Sequence, residues 1–162
     1  MSFIVVKVAI KSDRFGNFLR IDAEGMNTYS STGSVSVTGS ITQDHLSVLY
    51  PELYSDGTCS IRAPDAPGCY LRMKIDASPD FQDAGVGHAN CQYWLEHMGV
   101  NPGLENLRLR SLGDGTGAIE SVAFPGNFLR MDEDGNVNCQ YHGEAIRIPE
   151  GAWERFQVLL MG

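Results

Sequence analysis

No apolar stretch in the chain approaches the roughly 20 residues that a membrane-spanning helix requires. The start, Met1-Ser2-Phe3-Ile4-Val5-Val6-Lys7-Val8, has no basic region leading into a long apolar segment and a cleavage site. It reads as a first strand, so membrane insertion is not expected. A cytoplasmic location is, with leaderless release the other route. Basic charge is scarce too: 12 Lys and Arg against 20 Asp and Glu leave a formal charge of −8. Nucleic acids and anionic membranes need a basic footprint, so neither is an expected partner. The surplus points to neutral or basic ligands and otherwise serves solubility.

Metal and catalytic signatures are also missing. There is no Cys-x-x-Cys for zinc or thiol redox chemistry, and His45, His88, His97 and His142 share no metal-ligand spacing. Gly-x-Ser-x-Gly, His-Glu-x-x-His and phosphate-binding glycine-lysine loops are absent, and most carboxylates fall in turns, where pKa values raised for acid-base work are not expected. A binding protein without cofactor is therefore expected rather than an enzyme. Asp132-Glu133-Asp134-Gly135-Asn136 has alternating oxygen ligands, but Gly143 stands where a calcium loop needs its twelfth-place glutamate, so a hairpin turn is the better reading. Free thiols are expected: Cys91 and Cys139 read as small buried thiols, and Cys59 and Cys69, flanking one hairpin, are the only pair for which a local disulfide is the alternative.

What the chain does have is a phrase used three times: Phe18-Leu19-Arg20, Tyr70-Leu71-Arg72 and Phe128-Leu129-Arg130, at intervals of 52 and 58 residues. Downstream stand Leu46, Leu107 and Phe156, each followed two places later by Val48, Leu109 or Val158. Asn90-Cys91-Gln92-Tyr93 recurs as Asn138-Cys139-Gln140-Tyr141, with the looser Asn27-Thr28-Tyr29 in the first copy. Segments 3–10, 35–37, 60–62, 118–123 and 156–160 are short, β-branched or aromatic, and bounded by turn residues. Helical periodicity is absent. Three copies of about 50 residues with roughly four strands each predict a β-trefoil, a six-stranded barrel closed at one end by three hairpins, with repeats near 1–50, 51–112 and 113–162 of one domain. The Leu-Arg leucines, with Leu46, Val48, Leu107, Leu109, Phe156 and Val158, are expected inside; the arginines are expected outside, paired with carboxylates such as Asp22 and Asp132.

The second and third copies, running through Pro67-Gly68-Cys69-Tyr70-Leu71-Arg72 and Pro125-Gly126-Asn127-Phe128-Leu129-Arg130, resemble repeats of the arabinofuranose-binding AbfB-type module. The resemblance covers about 15 residues in each of two repeats. In that family a histidine follows the arginine and an aspartate opens the closing strand, where this chain has Met73 and Met131, and Leu104 and Trp153. Ala152-Trp153-Glu154-Arg155-Phe156-Gln157-Val158 is similar to strands of fascin-like, actin-crosslinking trefoils. These resemblances imply the fold and a bias toward binding.

Alternation supplies the site. With Val137, Cys139 and Tyr141 facing in, Asn138, Gln140 and His142 face out, and Asn90, Gln92 and Trp94 match them in the second copy. Amides beside an exposed aromatic suit sugar hydroxyls and the apolar side of a pyranose. Their alternative role is to tie down adjacent loops. Asn90, Gln92, Trp94, Asn138, Gln140 and His142, with Asp132 and Trp153, are thus the candidate ligand residues for a lectin-like module taking neutral glycans, with self-association a source of avidity. The alternative is a protein-interaction trefoil of actin-crosslinking or protease-inhibitor type, acting through loops 30–40 and 78–87.

Overall fold

A computed structural model describes residues 3–27, 37–75, 87–93 and 103–162. Thirteen strands occur in them: β1 Phe3–Val5, β2 Val8–Ser12, β3 Phe18–Ile21, β4 Val37–Ser40, β5 Tyr50–Tyr54, β6 Cys59–Arg62, β7 Cys69–Ile75, β8 Gly87–Tyr93, β9 Leu107–Ser111, β10 Gly117–Ser121, β11 Asn127–Met131, β12 Val137–Tyr141 and β13 Phe156–Leu160. Two single 3-10 turns, His45–Ser47 and Ala145–Arg147, accompany them. No helix among the described residues is long and apolar enough to cross a membrane.

The pairings close into a ring. β13 lies against β2, β5 against β6 and β9 against β10, all antiparallel. Three bridges join those pairs in turn: Val8 to Leu49, Cys59 to Leu107 and Gly117 to Phe156. The bridges are equivalent under a pseudo-threefold axis, so the fold is a β-trefoil whose last strand completes the first repeat. Hairpins β3–β4, β7–β8 and β11–β12 cap one end. They touch where Gly39 N–H donates to Gly135 O at 2.7 Å and where Asn138 pairs with His88.

Each repeated phrase is a β3-, β7- or β11-type strand, and alternation sends Leu19, Leu71 and Leu129 fully into the core with Ile21, Met73 and Met131. Ile10, Ile61 and Ile119 fill the barrel beneath them. Each such side chain contributes roughly 1.5–3 kcal/mol relative to exposure. The expected interior set needs correction: Val48 is half-buried, and Leu109 and Val158 are exposed. Beyond Leu107 and Phe156, β9 and β13 run toward the uncapped end, so only their first inward position reaches the core. In the first repeat the 3-10 turn His45–Ser47, capped by Asp44, delays entry, and the bridging residue is Leu49 rather than Leu46. All four cysteines are free and buried. Cys69 Sγ donates to Met26 O at 3.2 Å, while Cys59 sits in the barrel against Leu107, so the local disulfide does not form.

Candidate functional site

Arg20 and Arg130 lean partly outward as expected, whereas Arg72 is buried, and all three meet carboxylates other than the expected ones. Arg20 Nε lies 3.2 Å from Asp44 Oδ2, Arg72 Nε 4.0 Å from Glu105 Oε1, and Arg130 Nε 3.8 Å from Glu154 Oε1. Asp22 and Asp132 are taken by their own turns: Asp22 Oδ1 accepts from Glu24 N–H at 3.2 Å, and Asp132 Oδ1 from the Asp134 and Asn136 N–H groups at 2.9 Å. The true partners stand two residues ahead of Leu46, Leu107 and Phe156. Extending the repeat two places backward would have found them.

The three pairs differ in depth. In the second repeat the side chains of Arg72 and Glu105 are 5% and 4% exposed. Burial pushes the Glu105 carboxyl upward, against the pull of its backbone hydrogen bond and of Arg72. Arg20 and Asp44 are open, at 31% and 37%. The third repeat is intermediate, with Arg130 at 16% above a Glu154 at 5%. Buried pairs of the second kind hold structure, whereas a partly open guanidinium keeps N–H groups for a ligand.

Arg130 organises the third cluster. Its Nη1 donates to Asn138 Oδ1 at 3.5 Å, across the β11–β12 register, and its guanidinium lies 4.2 Å over the half-buried Trp153 ring. His142 Nε2 lies 3.2 Å from Glu154 Oε1, buried and without the alignment of an N–H···O bond. The Phe128 ring is tilted against the same imidazole at 6.2 Å. Phe15, from the β2–β3 turn of the first repeat, meets Trp153 edge-on at 5.7 Å. Two polar ties fix that seam: Arg14 Nη1 to Gly151 O at 3.0 Å and Asn17 Nδ2 to Glu133 O at 3.4 Å. Among the described residues, no group of three or more His, Cys, Asp or Glu is placed to hold a metal ion.

Of the predicted site residues, Asn138, His142 and Trp153 therefore come together around Arg130, with Asp132 engaged in the adjoining turn. Asn90 repeats the pattern in the second repeat, accepting from Arg72 Nη1 at 3.5 Å over a sealed pair. Gln92 and Gln140 do not face solvent: they are 0% and 8% exposed. Gln140 lies opposite Phe128, whose face is covered by Ala118 and Ile148 in a second small core. Gln92 Oε1 accepts from Tyr93 N–H at 3.0 Å. Trp94 lies outside the described residues, as do loops 30–40 and 78–87 except for residues 37–40 and Gly87. Glu154, Arg130 and Phe15 were missed. Phe15 leaves no local signal, because it reaches Trp153 only through the fold.

No protein-family model matches the chain. Alpha-L-arabinofuranosidase 43 from Humicola insolens is 25% identical over 131 residues, which is 74% of this chain and 26% of that protein. The chain thus spans about a quarter of the length of that curated relative. Among solved structures, the designed 3-fold symmetric protein ThreeFoil aligns with a TM-score of 0.63 at 16% identity, covering 94% of this chain and 97% of that one. A mosquitocidal holotoxin aligns at 0.68 and 10% identity, covering 96% of this chain and 17% of its own. The chain is a β-trefoil, like ThreeFoil in its threefold plan, and it resembles a stretch of an arabinofuranosidase in sequence.

Proposed function

We propose that the chain is a non-catalytic carbohydrate-binding module with one shallow site, at the seam between the third and first repeats. The observation that carries this is the convergence on Arg130. An amide, a partly open guanidinium and two half-buried aromatics, Trp153 and Phe15, meet at one place on the surface. Amide and guanidinium groups serve sugar hydroxyls, and the aromatic edges serve the apolar side of a ring. The sequence similarity to an arabinofuranosidase supports a saccharide ligand. The second repeat's equivalent is closed by the buried Arg72–Glu105 pair, which favours one site rather than two. Catalysis by paired carboxylates is disfavoured, because the buried Glu154 lies against the Arg130 guanidinium and Asp132 is engaged by its turn.

A patch this shallow desolvates little area, so affinity is expected at roughly micromolar to millimolar Kd. Neutral oligosaccharides displayed at high density should retain the protein, and Trp153→Ala or Asn138→Ala should abolish retention while the thermal midpoint moves little. A folded protein that no glycan retains, or a Trp153→Ala variant that binds unchanged, would refute this reading.

A further inference from the structure

The cations of this acidic chain fall into two groups. Seven of the nine arginines have a carboxylate within 4.0 Å. Lys7, Lys11, Arg14 and Arg108 have no ion pair among the described residues, and two of these four, Lys11 and Arg14, stand three residues apart. Both belong to the first repeat's β2–β3 hairpin and both rest on aromatic rings, Lys11 Nζ 5.7 Å from the Phe18 centroid and the Arg14 guanidinium 5.5 Å from that of Phe15. The Lys11 chain runs beside Gly16, its Cε 3.6 Å from where a Cβ there would stand, so the ammonium is drawn toward the turn that holds Arg14. The nearest acidic neighbour in sequence, Asp13, is exposed and accepts from Gln157 Nε2 at 2.9 Å. Glu133 meets this turn through its carbonyl, not its carboxylate.

Leaving this neighbouring pair of cations without a carboxylate in a chain of charge −8 keeps guanidinium and ammonium donors available. Arg14 spends only Nη1 on a protein acceptor, Gly151 O. Its remaining fork matches a planar carboxylate, and its aromatic support, Phe15, is the ring that touches Trp153. At physiological salt the chain's other charges are screened beyond about 8 Å, so the local pair outweighs the net charge for a docked group.

We propose that Lys11 and Arg14 form an anion-binding subsite beside the seam, taking the carboxylate of a uronic acid in a saccharide whose neighbouring ring lies on Phe15 and Trp153. This rests on the carbohydrate reading above and narrows its ligand to acidic glycans.

The test is a calorimetric titration with a neutral xylo-oligosaccharide and with the same chain carrying one glucuronic acid. A sulfated counterpart and a short single-stranded DNA of equal charge serve as controls. One charge-assisted bidentate contact predicts about tenfold tighter binding of the glucuronate form, shrinking as salt is raised. Arg14→Gln should bring the two affinities within about twofold of each other; because Arg14 also ties the seam through Gly151 O, the ratio of the acidic to the neutral affinity is the readout. Lys11→Gln should act in the same direction by less, and Arg14→Lys should restore only part of the preference. A sulfated form that matches the glucuronate would overturn carboxylate recognition. DNA binding as tight as the glucuronate would reduce the subsite to a generic cation patch and overturn it. Equal affinity for the neutral and acidic chains would overturn the subsite while leaving the carbohydrate reading standing. Binding of neither by the folded protein would overturn both.

Discussion

Arg155 is nearly buried and directs its guanidinium to four acceptors. Nε donates to Pro149 O at 2.7 Å, Nη2 to Ile148 O at 2.8 Å, and Nη1 to Asp114 Oδ2 at 2.9 Å and Thr116 Oγ1 at 3.2 Å. It thereby stitches residues 145–152, which cover Phe128, to the β9–β10 turn. Arg155→Ala leaves carbonyls without their donors and should lower stability by about 2–4 kcal/mol in a denaturant melt, with Arg155→Lys recovering less than half. A loss below about 0.5 kcal/mol would mean that the segment holds itself. Asp132 makes a pH prediction. Burial pushes its carboxyl upward, but the Asn136 side chain, the Asn136 and Asp134 N–H groups and Arg130 outweigh that and hold it below the usual carboxylate range. An acid depressed in the folded state gives stability that is present above its unfolded pKa, near 4, and is lost as pH falls through the lower folded value. Asp132→Asn keeps one acceptor for the turn but cannot ionise, so its thermal midpoint should fall less steeply than the parent's below about pH 4. Parallel acid limbs would contradict this.

The cap hairpins meet at glycine. Gly135, in the β11–β12 turn, has φ 85°, and a Cβ there would run into the carbonyl oxygen of Gly39. Gly25, in the β3–β4 connection, has φ 78° with nothing within 4 Å of its Cβ position. Gly25→Ala should therefore cost about 1 kcal/mol, from backbone conformation alone. Gly135→Ala should cost about 1–3 kcal/mol more, because backbone must move. Equal losses would mean that the hairpins do not touch. The same elements show what a sequence can tell. The Leu-Arg phrases were legible because period-two alternation over a repeated strand fixes which residue turns inward. Gln92 and Gln140 depart from the alternation reading because alternation gives the side of a strand but not what lies on it, and both amides are buried. The carboxylates that meet the arginines, Asp44, Glu105 and Glu154, share only a position two residues ahead of Leu46, Leu107 and Phe156, and strand alternation does not say which arginine they reach.

For the whole molecule, ring closure puts Cys59, Cys69, Cys91 and Cys139 inside, and burial pushes the Cys59 and Cys139 thiols up to about 12 and Cys69 to about 11. Native protein at pH 8 should expose almost no thiol to an aromatic disulfide reagent, denatured protein should expose four, and reductant should leave the thermal midpoint unmoved. Two thiols missing after denaturation would reveal a disulfide. Closure also makes the seam, since only a chain whose last strand completes its first repeat brings Phe15 onto Trp153. That long-range contact was illegible in the sequence, although both of its elements were predicted. The most direct measurement is therefore a residue-resolved NMR titration with a neutral oligosaccharide. The seam account predicts saturable shifts at the Trp153 indole N–H, the Asn138 amide, Arg130 Nε and the Phe15 backbone, with Asn90 and Gln92 still. Shifts confined to the second repeat, or to the uncapped end around Leu109 and Val158, would contradict it.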